Sequence, residues 1–202
     1  MYLTRSLLEE QSDGPRNRSA AAGIVGNTEL RALIAACINN ELASQKVLYD
    51  RYHPQAMGVI RRYVGDNHLA NELLNDVFFT VLTKLEQYAF KGAFEGWIRQ
   101  ITINRVGMHF RQNVKHEQVH YTDIPDTDFS LSSTAVSQLG YKELLGLIHE
   151  LPDTQRAVFN LAVFEDCSHK EIGKILGMKV NNSRWYLNDA RNRLKEKIKC
   201  RL

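Results

Sequence analysis

The sequence predicts an all-α protein of two small helical domains joined by a flexible linker, and three observations predict it. Apolar residues recur at three-and-four spacing through most of the 202 residues. No alternating apolar–polar stretch of useful strand length occurs. The helical period then stops between Gln112 and Ser137, where Pro125 stands among Asp, Ser and Thr, and resumes afterwards. The expected divisions are a weakly ordered tail over 1–27, a helical domain over 28–112, an acidic linker over 113–139 and a second helical domain over 140–202.

The elements follow in order. The tail contains the polar, turn-forming run from Gln11 to Ser19. A first helix from Thr28 is expected to bury Leu30, Leu33, Ile34, Cys37 and Ile38. Ser44 is a candidate cap for a second helix through Val47, Leu48, Tyr49 and Tyr52. Pro54 should kink or restart that helix before it ends at Gly65. A long third helix from His68 carries Leu69, Leu73, Leu74, Val77, Phe78, Val81, Leu82 and Leu85 on one broad face. Tyr88 to Phe94 reads as an aromatic loop around Gly92, and a fourth helix from about Glu95 to Arg111 turns Trp97, Ile98, Ile101 and Val106 inward. After the linker, Leu144, Leu145, Ile148 and Leu151 restart the period. Pro152 then opens a helix lined by Val158, Phe159, Leu161 and Ala162, where its missing N–H costs little.

Composition excludes several classes. A 44% hydrophobic, 24% charged chain is an ordinary globular mixture, and no window approaches the ~18 consecutive apolar residues of a membrane span. Glu9, Glu10 and Asp13 stand where a signal peptide needs an apolar core, so secretion is not expected. Cys37, Cys167 and Cys200 are scattered without a CxxC pair, which points to a reducing cytoplasm and to neither a disulfide scaffold nor a zinc knuckle. The net charge of +3 is unevenly spread. From Lys170 to the end, ten Lys and Arg stand against Glu171, Asp189 and Glu196, whereas Glu117, Asp123, Asp126 and Asp128 dominate the linker. A basic end behind an acidic middle suits a module that binds a polyanion.

The sharpest local signal is Ser168-His169-Lys170-Glu171, the pattern of a capping box in which Ser168 and Glu171 satisfy each other's backbone N–H groups. Ile172, Ile175 and Leu176 form a short apolar face, and Gly177 supplies the left-handed residue that ends the helix. A longer basic helix is expected to start at Asn182 or Ser183 and to contain Trp185, Leu187, Ala190, Leu194 and Ile198. A short capped helix, a glycine turn and a basic second helix make a helix-turn-helix, whose second helix presents its early side chains to base edges while cations meet phosphates.

These residues carry a family resemblance. Leu151-Pro152-Asp153-Thr154-Gln155-Arg156-Ala157-Val158-Phe159-Asn160-Leu161, then Ser168 to Gly173 and Ala190-Arg191, resemble the fourth region of bacterial extracytoplasmic-function sigma factors. Leu48 to Tyr52, Ala70 to Phe78, Phe94 to Ile98 and Asn104 resemble the second region in order and approximate spacing, and the style is similar to sigma factors of Bacteroidetes-type bacteria. The resemblance implies no catalysis and no cofactor. It implies partnership with core RNA polymerase, through its β′ clamp and β flap, with promoter DNA, and with an anti-sigma factor. Core-polymerase docking would fall on the helix from Glu72 to Phe79, with Glu72, Leu73, Asp76, Val77 and Phe79 as candidates and Leu73, Val77 and Phe78 shared between core and contact. The loop with Phe90 and Lys91 would receive a flipped minus-ten base, and Arg99, Asn104, Arg105 and Arg111 would track phosphates and nearby bases. Trp97 is expected to anchor the fourth helix. Minus-thirty-five reading would belong to Asn182, Arg184, Trp185 and Asn188, supported by Lys170 and Arg191. Asn182-Ser183-Arg184-Trp185-Tyr186 departs from the commoner Thr-Val-Lys-Ser-Arg of the family, and Asp189 opposes phosphate unless it pairs with Arg193.

Rival readings are a stand-alone helix-turn-helix regulator, an enzyme and an interaction protein that never meets DNA. The first needs a dimer interface or a sensor domain, neither of which the helical N-terminal half suggests. No phosphate-cradling glycine loop supports the second. His116, His120 and Asp123 are spaced to ligate a metal if helical but lie in an aperiodic linker, so no metal is expected. The basic final helix opposes the third.

Overall fold

In the computed structural model, which describes residues 19–114 and 140–200, every regular element is helical. The helices are α1 (Ser19–Ile38), α2 (Leu42–Tyr63), α3 (Asn67–Lys84), α4 (Phe94–Val114), α5 (Tyr141–His149), α6 (Asp153–Val163), α7 (His169–Leu176) and α8 (Val180–Lys199), with one 3₁₀ turn at Leu85–Gln87. The linker, including His116, His120 and Asp123, and the tail before Ser19 lie outside the described residues.

Boundaries differ from expectation where local signals compete. Helix α1 begins at Ser19, ahead of Thr28, where the run Ala20-Ala21-Ala22 favours the helix despite Gly23 and Gly26. Helix α2 begins at Leu42 rather than after Ser44, and it passes through Pro54 as one element. Proline removes a single backbone donor, and burial of Leu48, Tyr52, Ala56, Val59, Ile60 and Tyr63 along the same helix outweighs that loss. Asp66 caps α3 by accepting from the Leu69 N–H at 2.8 Å.

Two compact units divide at Lys46. The first holds α1, in which Ile34 and Cys37 are buried. The second holds everything from Val47 onward and has two packing centres. Around α3 and α4 the core contains Leu74, Val77, Phe78, Val81, Phe94, Ile98, Val106 and Phe110. Around α6 and α8, which pack closely along their lengths, it contains Val158, Leu161, Ile172, Leu176, Tyr186, Leu187, Ala190 and Leu194. Two helical halves with their own cores are therefore present as expected. They are not separate, however: α6 and α7 both pack against α4.

Candidate nucleic-acid interface

The helix-turn-helix is built by the signals that predicted it. Ser168 and Glu171 form the reciprocal cap of α7: the Ser168 N–H donates to Glu171 Oε2 at 2.8 Å and the Glu171 N–H donates to Ser168 Oγ at 3.3 Å. These bonds from the Ser168 side chain and backbone hold the Glu171 carboxyl below its ordinary value of 4.5. A carboxylate lowered on folding stabilises the fold above its unfolded pKa and loses that contribution as pH falls through the folded one. Ser168→Ala is expected to cost about 1 kcal/mol at neutral pH, read by chemical denaturation. Glu171→Gln should flatten the acid side of the stability profile, between 4.5 and the lowered value.

Gly177 ends α7 at φ 70°, ψ 32°, a conformation that a side chain would strain. Helix α8 then starts at Val180 with Lys179 as its N-cap, earlier than Asn182. The earlier start brings Asn181 into the first turn, on one face with Arg184 and Asn188 and continuing to Asn192 and Lys195. Arg184 is exposed and donates to Asn181 Oδ1 at 3.5 Å. Asn182, Trp185 and Asn188 are half-buried, with Trp185 edge-on to Tyr186. Lys170 is exposed on α7, and Arg191 is half-buried on α8. His169 Nδ1 lies 2.9 Å from Ser183 Oγ, which ties the two helices together. Asp189 pairs with Arg193 at 2.7 Å, as its spacing suggested, and also accepts from Gln155 at 3.1 Å. Its charge is thereby spent on protein partners, not presented to DNA.

A second candidate surface surrounds the loop before α4. The Tyr88 hydroxyl donates to the Gly92 carbonyl at 2.8 Å and closes the loop. Phe90 stands at φ 54°, an unusual conformation for a bulky residue, with its ring 4.8 Å from that of Tyr88. It is half-buried, and Lys91 beside it is exposed. Trp97 stacks on Phe94 at 5.4 Å and meets Tyr88, so it anchors the start of α4. Burial also pushes the hydroxyl of nearby Tyr52 up, with Glu95 adding to the effect.

The polar residues of α4 diverge in their surroundings. Asn104 is exposed and accepts from Gln100 at 3.3 Å. Arg105 donates through Nε to Thr80 Oγ1 at 2.9 Å. Arg111 lies over Gly177, where a Cβ would stand 2.6 Å from its Nε. Arg99 is half-exposed and engaged by the C-terminal half, at 2.7 Å from Glu165 and 2.8 Å from the Phe164 carbonyl.

The docking candidates on α3 separate by face. Glu72 and Asp76 are exposed and Phe79 is 68% exposed, whereas Leu73 and Val77 are buried at 6% and 0%. Leu73 and Val77 are thus corrected to core residues on the buried stripe of α3, while Phe79 stands exposed beside the α3–α4 contact. Phe79 lines a groove of about 390 Å³ with Thr80, Thr83, Lys84, Ile101, Arg105 and exposed Met108. Lys84 and Met108 were not singled out in the sequence; an apolar Met108 off the buried stripe of α4 was the available signal.

Among the described residues, no helix is long and apolar enough to cross a membrane, and no group of three His, Cys, Asp or Glu is placed to hold a metal. Residues 48–116 match the family described as Sigma-70 region 2, and residues 141–194 match Sigma-70, region 4. The chain belongs to the sigma-70 family. Within this sigma-70 family it is similar to proteins of the extracytoplasmic-function class, which favours a sigma factor over a stand-alone operator-binding regulator. The ECF RNA polymerase sigma factor SigE of Mycolicibacterium smegmatis is 29% identical over 67% of this chain, a match that spans only 54% of SigE. The ECF RNA polymerase sigma factor SigM of Bacillus subtilis is 28% identical over 73% of this chain and 91% of its own. A solved structure of the sigma factor RpoE with the anti-sigma factor NepR from Bartonella quintana has 17% identity and a TM-score of 0.47, covering 76% of this chain and 96% of that chain.

Proposed function

We propose that this sigma-70 chain binds core RNA polymerase, recognises a promoter through its two helical halves and starts transcription without making or breaking a covalent bond itself. The observation that carries the reading is the union in one chain of a capped helix-turn-helix, bearing a polar stripe on α8, with a helical half that exposes Glu72, Asp76 and Phe79 on α3. Asn182, Arg184, Trp185 and Asn188 read the minus-thirty-five element with help from Asn181, and Lys170 and Arg191 meet its phosphates. Phe90 and Lys91 hold an unstacked minus-ten base, with Asn104, Arg105 and Arg111 along the melted strand. Glu72, Asp76 and Phe79 dock on the β′ clamp, and the helix-turn-helix half meets the β flap. An anti-sigma factor controls the free protein, which works in the cytoplasm and requires no cofactor. The assignment to a Bacteroidetes-like subgroup rests on the style of the sequence alone.

Run-off transcription with core polymerase on the genomic region upstream of the chain's own gene tests this directly. The chain should direct initiation at sites that core enzyme alone does not use. Phe79→Ala should weaken core binding by about 1–2 kcal/mol, the scale of an interface aromatic, and leave the melting curve unchanged, because the ring is 68% exposed. Initiation at no new site across a genomic library overturns the reading.

A further inference from the structure

The arginines of α2 and α4 are held in two different ways. Arg62 and Arg99 close on the buried carboxylate of Glu165, at 2.6 and 2.7 Å, so each charge is met within the chain. Arg105, half-buried on α4, pairs with no carboxylate among the described residues. Its Nε donates to Thr80 Oγ1 of α3 at 2.9 Å, and neither of its terminal amino groups has a partner among the described residues.

The Thr80 hydroxyl is committed in its turn. It donates to the Asp76 carbonyl, one turn back on α3, at 2.8 Å. A hydroxyl has one proton to give, so toward Arg105 it acts only as an acceptor. A guanidinium is planar, and a bond at Nε narrows the directions in which its two terminal amino groups can point. Those two groups form a fork that matches a pair of anionic oxygens. The fork opens on the groove between α3 and α4, where Lys84 adds a second positive charge and no carboxylate is among the lining residues. That composition suits a run of backbone phosphates.

We propose, resting on the sigma-factor function stated above, that Thr80 is a positioning residue for promoter opening: its hydroxyl aims the uncommitted fork of Arg105 at a backbone phosphate of the melted strand. Thr80 acts through Arg105 and not on DNA itself. It stands on α3, the helix that also exposes Glu72, Asp76 and Phe79, so strand capture depends on how α3 packs against α4.

Valine and serine separate the hydroxyl from the shape of the side chain. Thr80→Val keeps the branched volume and removes the hydroxyl, whereas Thr80→Ser keeps the hydroxyl and removes the methyl. Holoenzyme made with each full chain is titrated, over a range of salt, onto a duplex whose minus-ten region is held open by mismatches. Thr80→Val should bind about three- to tenfold more weakly at low salt, the scale of ordering one long side chain. Its salt slope should shrink by about 0.7, the value for one phosphate of a single strand. Thr80→Ser should match the parent. Arg105→Ala should lose at least as much as Thr80→Val, and adding Thr80→Val to it should cost nothing further, because the hydroxyl then has no arginine to aim. Affinity for core polymerase should be equal in all of them. Binding by Thr80→Val equal to the parent's, a Thr80→Ser chain as weak as Thr80→Val, or an additive double variant overturns the proposal. A loss in core affinity with strand capture intact also overturns it, and gives the fork to a carboxylate of the enzyme.

A second measurement needs neither polymerase nor DNA. In NMR spectra of the free chain, the Arg105 Nε–H should exchange slowly with water in the parent and in Thr80→Ser, and fast in Thr80→Val, with the backbone signals of the fold retained. Fast exchange in the parent, or no change in Thr80→Val, overturns the proposal. If the parent holoenzyme directs no initiation, the sigma-factor reading falls, while proton exchange still decides whether Thr80 fixes Arg105.

Discussion

Arg184→Ala is expected to weaken holoenzyme binding to the cognate promoter by about 1–3 kcal/mol, roughly fivefold to 150-fold in affinity. The loss should concentrate at one base pair of the minus-thirty-five element, because a bidentate arginine distinguishes guanine from the alternatives while a phosphate contact does not. Arg184 is exposed in the first turns of α8 and makes a long hydrogen bond to Asn181 in the same helix. Its removal should therefore leave the thermal unfolding curve in place. Fluorescence anisotropy of holoenzyme on a panel of duplexes, each altered at one position, measures both quantities. A uniform loss across the panel would reassign Arg184 to the phosphates, and no loss would remove it from the interface.

The second large effect is on stability. Ile172→Ala should destabilise the helix-turn-helix by about 2–5 kcal/mol, a transfer contribution plus the cavity left behind. Ile172 is 0% exposed on α7, a helix of eight residues that buries only Ile172 and Leu176 fully. With so few anchors, the helix depends on each, and its cap cannot hold it in place alone. Denaturant titration followed by tryptophan fluorescence checks the loss, with Trp185 reporting on the C-terminal half and Trp97 on the N-terminal one. Promoter binding should fail together with folding in this variant, unlike Arg184→Ala, and a loss below about 1 kcal/mol would mean that α7 collapses around the gap.

Much of the architecture was legible from the chain. The capping box at Ser168 and Glu171, the left-handed Gly177 and the pairing of Asp189 with Arg193 each arise within a span of a few residues, where local stereochemistry dominates. The broad face of α3 was likewise legible as a period. That period did not show where the face ends: Val77 and Phe78 are inside and Phe79 is outside, though all three are apolar neighbours. A rotation of one residue around a helix moves a side chain by about 100°, so the packing partner α4 decides which of them is core.

The start of α8 at Val180 was misplaced because Asn182 and Ser183 resemble caps in isolation. In the folded chain Ser183 is buried against His169, and Lys179 leads the helix instead. The ion pair made by Arg99, a candidate phosphate contact, was not legible from its neighbours in the chain. Its partner Glu165 lies 66 positions further along the chain.

By itself the sequence determined the helical class, the two packing centres, the helix-turn-helix and the family, since each depends on periodicity, caps and ordered motifs that act over short range. The tertiary structure alone decided which apolar residues of α3 face outward, how α4 meets α6 and α7, and that Glu165 is a buried carboxylate shared by two arginines. The reason is physical: burial and charge pairing depend on which surfaces meet in space, and residues 62, 99 and 165 come together only after three helices have packed.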